Sequence, residues 1–580
     1  MYHQVLLCFS LFAVGAFGQV LNETKIVYTR QGPIRGFRAP NYDVFEFLNI
    51  PYATAPTGVN KFKAPLPPPS WNATFNATDR RITCFQPIGD GSMQLAPGAV
   101  MQEDCLVANV YVPDVQDNNL PVLVDVHGGG YHVGDTSQSP IALVNSKRIV
   151  AVTFNYRLGI HGFLCLGTEV APGNAGMKDQ VALLRWVRDN IANFGGNPEE
   201  VTIAGCSAGG ASVDTLLLSN ATRGLFHKVI AESGCSLSSL AIQFDPLQNA
   251  IDHAVRLNFN DPTNVTALGE FYASLSLQNL TQSTWDYLYS RDSYFTFVPC
   301  VERNLGQERF LEQPPISILS NGDLSPQPIL YGFADMEGFL RVGQFSQWIA
   351  AMNTNFSEFL TPDLMFDTEQ QRQQVATEIR NFYFGPGTLD SSQILSYIDY
   401  FSDVLFVHSI LRAIPFHVRA GNNQIYLYEF AFTHNNSIQI PFTNVTGANH
   451  CEQHGVALGY LIDENSSEEL VAMSQIMGEM YLNFITTGNP NSNSSVPVWP
   501  QVGLNRYPYL HISSNGTQVV IDGPNFQGEA LANRTTFWDR MYELYGTRVP
   551  IPPSVSGSPY SVVLNKLWII CAMVALLRLN

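Results

Sequence analysis

Charge is scarce in this chain. Only 14% of its 580 residues are Asp, Glu, Lys or Arg, while 45% are hydrophobic. That charged share is well below the usual quarter and excludes long coiled coils and disorder. Basic residues are the scarcer sign, 31 against 49 acids, giving a net charge of −18. No nucleic-acid partner is expected, because binding phosphates needs a basic surface. The 44 glycines and 35 prolines follow no triplet period, so collagen is excluded too. No repeat, charge block or long linker divides residues 20–545, and the length allows one large globular domain or two average ones.

Neither terminal apolar run reaches the ~20 residues of a membrane-spanning helix. Leu6 to Ala16 is followed by Ala16 and Gly18 in an A-x-G frame before Gln19. This reads as a secretory signal over residues 1–18, although no Lys or Arg precedes the apolar run. At the other end, small residues from Ser554 to Ser558 precede an eight-residue stretch to Lys566 and the short run Leu567 to Leu577. That order matches a glycolipid (GPI) attachment signal, with Ser556 the expected site and Ser554 and Gly557 close behind. A short amphipathic anchor or a docked helix is the plainer alternative. Residues 549–580 then form tether and anchor signal, and residues 19–548 the folded domain.

Thirteen N-x-S/T sequons, at Asn22, Asn72, Asn76, Asn220, Asn264, Asn279, Asn355, Asn435, Asn444, Asn465, Asn493, Asn515 and Asn533, support secretion. Chance would give roughly five. Of nine cysteines, Cys8 and Cys571 lie in the terminal signals and seven remain. An oxidising compartment favours disulfides, and an odd count leaves at least one thiol over. Cys84 and Cys105, which enclose a Gly/Pro-containing loop, are the strongest expected pair.

Apolar runs at 121–126, 149–154, 201–205, 328–333 and 424–430 read as buried strands, and 177–194 reads as an amphipathic helix. Strand and helix in alternation predict a doubly wound, mostly parallel sheet, with ligands bound beyond the carboxyl ends of its strands. Gly205-Cys206-Ser207-Ala208-Gly209 sits between a strand and a helical pattern, the setting of a nucleophile elbow. An ordinary Gly/Ser turn is the bland alternative. His127-Gly128-Gly129-Gly130 directly follows another strand. Its glycines let backbone N–H groups face a developing oxyanion, with Gly129, Gly130 and Ala208 as candidate donors.

These motifs resemble the type-B carboxylesterases, the cholinesterase-like α/β-hydrolases. Phe194-Gly195-Gly196 with Val201, Ile203, Gly205, Ser207 and Gly209 is similar to that family's serine-site pattern, and Glu103-Asp104-Cys105-Leu106 to its second pattern. The stretches 47–56, 155–164 and 171–187 extend the likeness across roughly residues 25–545. The resemblance implies an α/β-hydrolase fold and a triad in the chain order Ser, acid, His. It implies no cofactor and no metal. Glu337, a Glu followed by Gly soon after a strand, is similar to the family's acid, with Asp335 the runner-up.

Two histidines compete for the base. Counting back from Leu458, Tyr460 and Leu461 selects His454, whereas counting forward from Gly447 and Ala448 selects His450. We favour His454, on the premise that distance to the following helix fixes the imidazole. The residue before the serine, often Glu in the family, is Cys206 here, read as a small buried thiol. A redox role would need a partner such as Cys165 or Cys235. The family's cholinesterases bind a quaternary ammonium on a Trp in the first disulfide loop, and the loop from Cys84 to Cys105 has no Trp.

The expected activity is thus hydrolysis of uncharged small-molecule esters by a secreted or GPI-anchored enzyme on the outer membrane leaflet. A catalytically silent surface adhesion or ligand-binding protein on the same fold is the alternative. The GPI-like tail, the sequon load, Cys206 and the offset histidine lean that way.

Overall fold

The computed structural model describes residues 23–78, 81–87, 95, 98–116, 119–281, 295–322, 324–491, 497–506, 508–520 and 528–554. The signal at 1–18, Asn22, Asn493, Ser556 and the apolar tail lie outside the described residues.

A central sheet organises the chain. Its amino-terminal strands are β1 (Thr24–Thr29), β2 (Gly32–Arg38), β3 (Val44–Pro51) and the short β4 (Phe75–Asn76). β5 (Ile82–Cys84) and β6 (Val100–Gln102) pair with each other only. Then come β7 (Val107–Pro113), β8 (Leu120–Val126), β9 (Val150–Phe154), β10 (Gly196–Cys206), β11 (Lys228–Glu232), β12 (Ile329–Ala334), β13 (Ile425–Ala431), β14 (Tyr509–Ser513) and β15 (Gly516–Val520). The spatial order is β1-β2-β3-β7-β9-β8-β10-β11-β12-β13-β14-β15, with β4 beside β2. From β9 to β14 every pairing is parallel, and the flanking pairs are antiparallel except β2 with β4. This is the expected doubly wound α/β architecture. All five predicted strands are present, and the predicted helix is Ala175–Asn190 followed by a 3-10 turn to Phe194.

The parallel strands are continuous apolar runs because helices cover both faces. Side chains alternate between two cores, as the two-residue period of a strand demands. Val122, Val124 and Val126 of β8 enter one core and Leu123 the other. Ile329, Tyr331 and Phe333 of β12 divide from Leu330 and Ala334 in the same way. The chain runs from β8 to β9 on one side and returns to β10 on the other. The sheet therefore reverses its winding between β8 and β10, where a crevice opens at the carboxyl ends.

Among the described residues three disulfides form: Cys84–Cys105, Cys165–Cys300 and Cys206–Cys451. Cys235 is the leftover thiol. It is buried, and burial pushes its pKa up to about 12, so it stays protonated. Every described sequon asparagine is exposed except Asn355, which is half-buried.

Candidate active site

The carboxyl ends of β8 and β10 deliver the two glycine motifs to one cavity of about 670 Å³. Ser207 follows β10 directly and opens the helix Ala208–Leu217. Its backbone sits at φ 62° and ψ −125°, a conformation non-glycine residues avoid. The turn is held by the Ser207 amide donating to the Glu232 carbonyl at 2.9 Å and by the Ala211 amide donating to the Ser207 carbonyl at 2.9 Å. The flanking glycines are sterically required. A Cβ at Gly209 would lie 2.1 Å from the Val126 carbonyl oxygen, and one at Gly205 2.6 Å from the Gly209 carbonyl carbon.

The loop after β8 turns through positive φ at Gly129 (99°), Gly130 (62°) and Tyr131 (64°). The Gly129 carbonyl accepts the His132 and Val133 amides, both at 3.0 Å. Because a trans peptide sets N–H opposite C=O, the Gly130 amide points away from that turn. Among the described residues, no protein acceptor receives the amides of Gly129, Gly130 or Ala208. Tyr156 pins the loop: its ring stacks on His127 at 4.3 Å, and its hydroxyl donates to the His127 carbonyl at 3.0 Å.

Glu337 follows β12 and is fully buried. One carboxylate oxygen accepts the Ser233 hydroxyl at 2.5 Å and the Ala334 amide at 2.8 Å. The other meets His450 Nδ1 at 2.5 Å. Gln453 donates to the Ser233 hydroxyl at 2.7 Å, so the helix Glu452–Leu458 that follows His450 also braces the acid. The runner-up acid, Asp335, instead accepts the Ala448 amide at 2.8 Å and fixes that loop. Burial, with Glu429 nearby, raises its pKa to about 7.

The carboxylate of Glu337 meets His450 and not the favoured His454. His450 lies on Glu337. Its Nε2 is buried without a protein partner, and its ring rests on Phe406 at 4.3 Å. His450 and Ser207 line the same cavity. His454 lies one helical turn further along Glu452–Leu458, and both of its nitrogens are taken. Nδ1 meets Glu232 at 2.7 Å and Nε2 meets Asp125 at 3.1 Å. The short helix is capped by Cys451 just after His450 and by Gly459 at its end, so the Leu-x-Tyr-Leu run lies a full helix beyond His450. Phe406, on a π-helical turn at Asp403–Val407, is a site residue the sequence reading missed.

Burial alone would lower the His454 pKa, but the Asp125 and Glu232 carboxylates outweigh it and raise it to about 10. His454 is thus a buried cation between two carboxylates. Its folded pKa exceeds the ordinary value, so its stabilisation is full below about pH 6.5 and fades as pH rises towards 10. His454→Gln removes the positive charge that both carboxylates share, leaving them only tyrosine hydroxyls, and is expected to cost about 3–5 kcal/mol. The gap in thermal midpoint from the parent should be wide at pH 6 and narrow at pH 9.5. A gap independent of pH would contradict this assignment.

Cys206 is likewise not a free thiol. Its bond to Cys451 ties the residue before Ser207 to the residue after His450, across 245 positions of sequence. Neither Cys165 nor Cys235 is its partner. The double variant Cys206→Ser/Cys451→Ser releases this clamp, and a misplacement of ~1 Å costs about 10²-fold. We expect kcat to fall roughly ten- to hundredfold with little change in KM. A larger change in KM than in kcat would show that the clamp shapes substrate binding instead.

Comparison with known proteins shows the family. The carboxylesterase family model matches residues 23–538. The chain belongs to the carboxylesterase family. Among carboxylesterase relatives, juvenile hormone esterase of Heliothis virescens is 32% identical over 536 residues, covering 86% of this chain and 92% of that protein. Venom carboxylesterase-6 of Apis mellifera is 30% identical over 510 residues, covering 84% and 90%. The crystal structure of Manduca sexta juvenile hormone esterase with covalently attached OTFP superposes with a TM-score of 0.79 at 27% identity. That alignment covers 90% of this chain and all of that one.

Proposed function

We propose that this carboxylic-ester hydrolase acts through Ser207, His450 and Glu337 with an acyl-enzyme intermediate. The single observation that carries the reading is His450, with Nδ1 held by Glu337 and Nε2 left for the cavity that also contains Ser207. In the first step His450 Nε2 takes the Ser207 proton as Oγ attacks the ester carbonyl. The amides of Gly129, Gly130 and Ala208 receive the oxyanion, each contributing about 3 kcal/mol. His450 then returns the proton to the departing alcohol, and Glu337 stabilises the imidazolium in between. Water releases the acyl group by the same sequence.

Substrates carrying a fixed positive charge are disfavoured. The first disulfide loop has no Trp, and the residue before the nucleophile is locked in a disulfide instead of carrying a carboxylate. The cavity offers Leu95, Val133, Phe295, Leu340, Phe406 and Leu461 to an apolar ester body. Cys206 is half of a clamp and Glu337 has its histidine, so neither feature of the site favours a silent binding protein.

We further propose a secretory route with glycans on the exposed sequons, supported by three disulfides and the amino-terminal signal. The carboxyl-terminal signal is proposed to add a GPI lipid at Ser556. The secreted domain should hydrolyse a chromogenic short-acyl ester, and an inactive folded protein would contradict the enzymatic reading. Phosphatidylinositol-specific phospholipase should release the full-length protein from cells, whereas retention would overturn the anchor.

A further inference from the structure

Arg341 is a buried cation without a counter-ion. It lies four residues after Glu337 on the 3-10 helix Glu337–Gln344 and is only 8% exposed. Its guanidinium is sandwiched between the rings of Phe295, 5.0 Å to the centroid, and Trp348, 5.4 Å. The hydroxyl of Tyr397 donates to its backbone carbonyl at 2.9 Å, which fixes the residue in place. Nε is fully buried without an acceptor, and no carboxylate pairs with the guanidinium among the described residues. The carboxylates lining the same cavity are engaged elsewhere. Asp125 is held by His454 and Tyr460, Glu452 accepts the Asn449 amide, and Asp135 accepts the Ser137 amide.

Burying a charge is costly unless it is paired. Aromatic faces offset part of that cost, but they supply no acceptor for a guanidinium with five donors in a planar fork. Arg341 lines the cavity that holds Ser207 and His450. Phe295 also packs on the oxyanion loop, its ring 3.0 Å from where a Gly130 Cβ would be. One aromatic ring therefore separates the guanidinium from the glycine amides. The carbonyl oxygen faces those amides, and the leaving alcohol departs towards His450. A group reaching past Gly130 and Phe295 thus belongs to the acyl chain.

We infer that Arg341 is a specificity-determining residue that binds a carboxylate at the far end of the substrate's acyl chain. The preferred substrates are then half-esters of dicarboxylic acids, apolar in the middle and anionic at the tip. This departs from the uncharged esters expected from sequence, and it rests on the ester-hydrolase reading above. Arg fits the role better than Lys because its fork matches a carboxylate with two parallel hydrogen bonds.

The test compares mono-4-nitrophenyl glutarate with its neutral counterpart, 4-nitrophenyl pentanoate, on the secreted protein. The anionic-to-neutral ratio of kcat/KM should fall at least tenfold in Arg341→Met and less in Arg341→Lys. In the parent, the same ratio should fall as KCl is raised. An unchanged ratio in the variants, together with no salt dependence, would overturn the inference and leave Arg341 as packing between two rings. If Arg341→Met does not fold, the Lys variant and the salt series decide the question. A second pair, 4-butyryloxybenzoate and phenyl butyrate, carries the charge on the alcohol, and dependence on Arg341 in this pair alone would overturn the acyl-side assignment. A binding arm separates this claim from the catalytic one. Calorimetry of mono-4-nitrophenyl glutarate on Ser207→Ala and on Ser207→Ala/Arg341→Lys needs no turnover. Weaker binding in the double variant supports the anion site even if the parent hydrolyses nothing, and equal binding rejects it.

Discussion

His450→Ala is expected to lower kcat for a short-acyl chromogenic ester by roughly 10⁴–10⁶-fold, because triad members act as a unit. Without the imidazole, Ser207 keeps its proton and is a poor nucleophile. The oxyanion amides remain, so the residual rate should still exceed that of water. The contrast with His454 is the informative part. His454 Nε2 is committed to Asp125 and Nδ1 to Glu232, so no nitrogen is free to take a proton from serine. Its replacement should appear first as a lower thermal midpoint and only secondarily in turnover. Steady-state kinetics on folded samples of both variants, with melting curves alongside, separate the two roles. A comparable mild loss from both would contradict the assignment of either as base.

Ser207→Ala should cost a similar roughly 10⁴–10⁶-fold in kcat, and combining it with His450→Ala should add little. Non-additivity is the signature of a single proton-transfer apparatus, whereas two independent contributions would multiply. Ser207→Ala also retains the strained backbone at φ 62°, which the Glu232 and Ala211 hydrogen bonds and the close packing of Gly205 and Gly209 impose. The variant should therefore fold and still bind ester. A double variant much slower than either single one would mean that Ser207 and His450 serve different reactions.

Much of the fold was legible because buried parallel strands are written as unbroken apolar runs. PVLVDV and VTIAG become β8 and β10 with helices on both faces. The antiparallel strands β1 and β2 were not legible, since they are half exposed and carry mixed residues. The elbow and the glycine loop were readable because steric demands on backbone force glycine at fixed spacings. The histidine was not, because two cues measured from opposite ends of a short helix disagree by four residues, one helical turn. Only the fold shows which turn faces Glu337. The Cys206–Cys451 bond was hidden for a related reason: a disulfide is a fact of space, and seven cysteines do not specify their partners. Arg341 carried no signal in sequence. Its meaning comes from the rings on either side and the missing carboxylate, neither of which is local in the chain.

The central claim is that Ser207 is made nucleophilic by His450 and not by His454. Covalent labelling with a serine-directed organophosphate, mapped by mass spectrometry and followed in time, tests it most directly. One adduct per chain on Ser207 is predicted for the parent, at a rate that collapses in His450→Ala and persists in folded His454→Ala. An adduct elsewhere, or a rate that survives the loss of His450 and fails with the loss of His454, would contradict it.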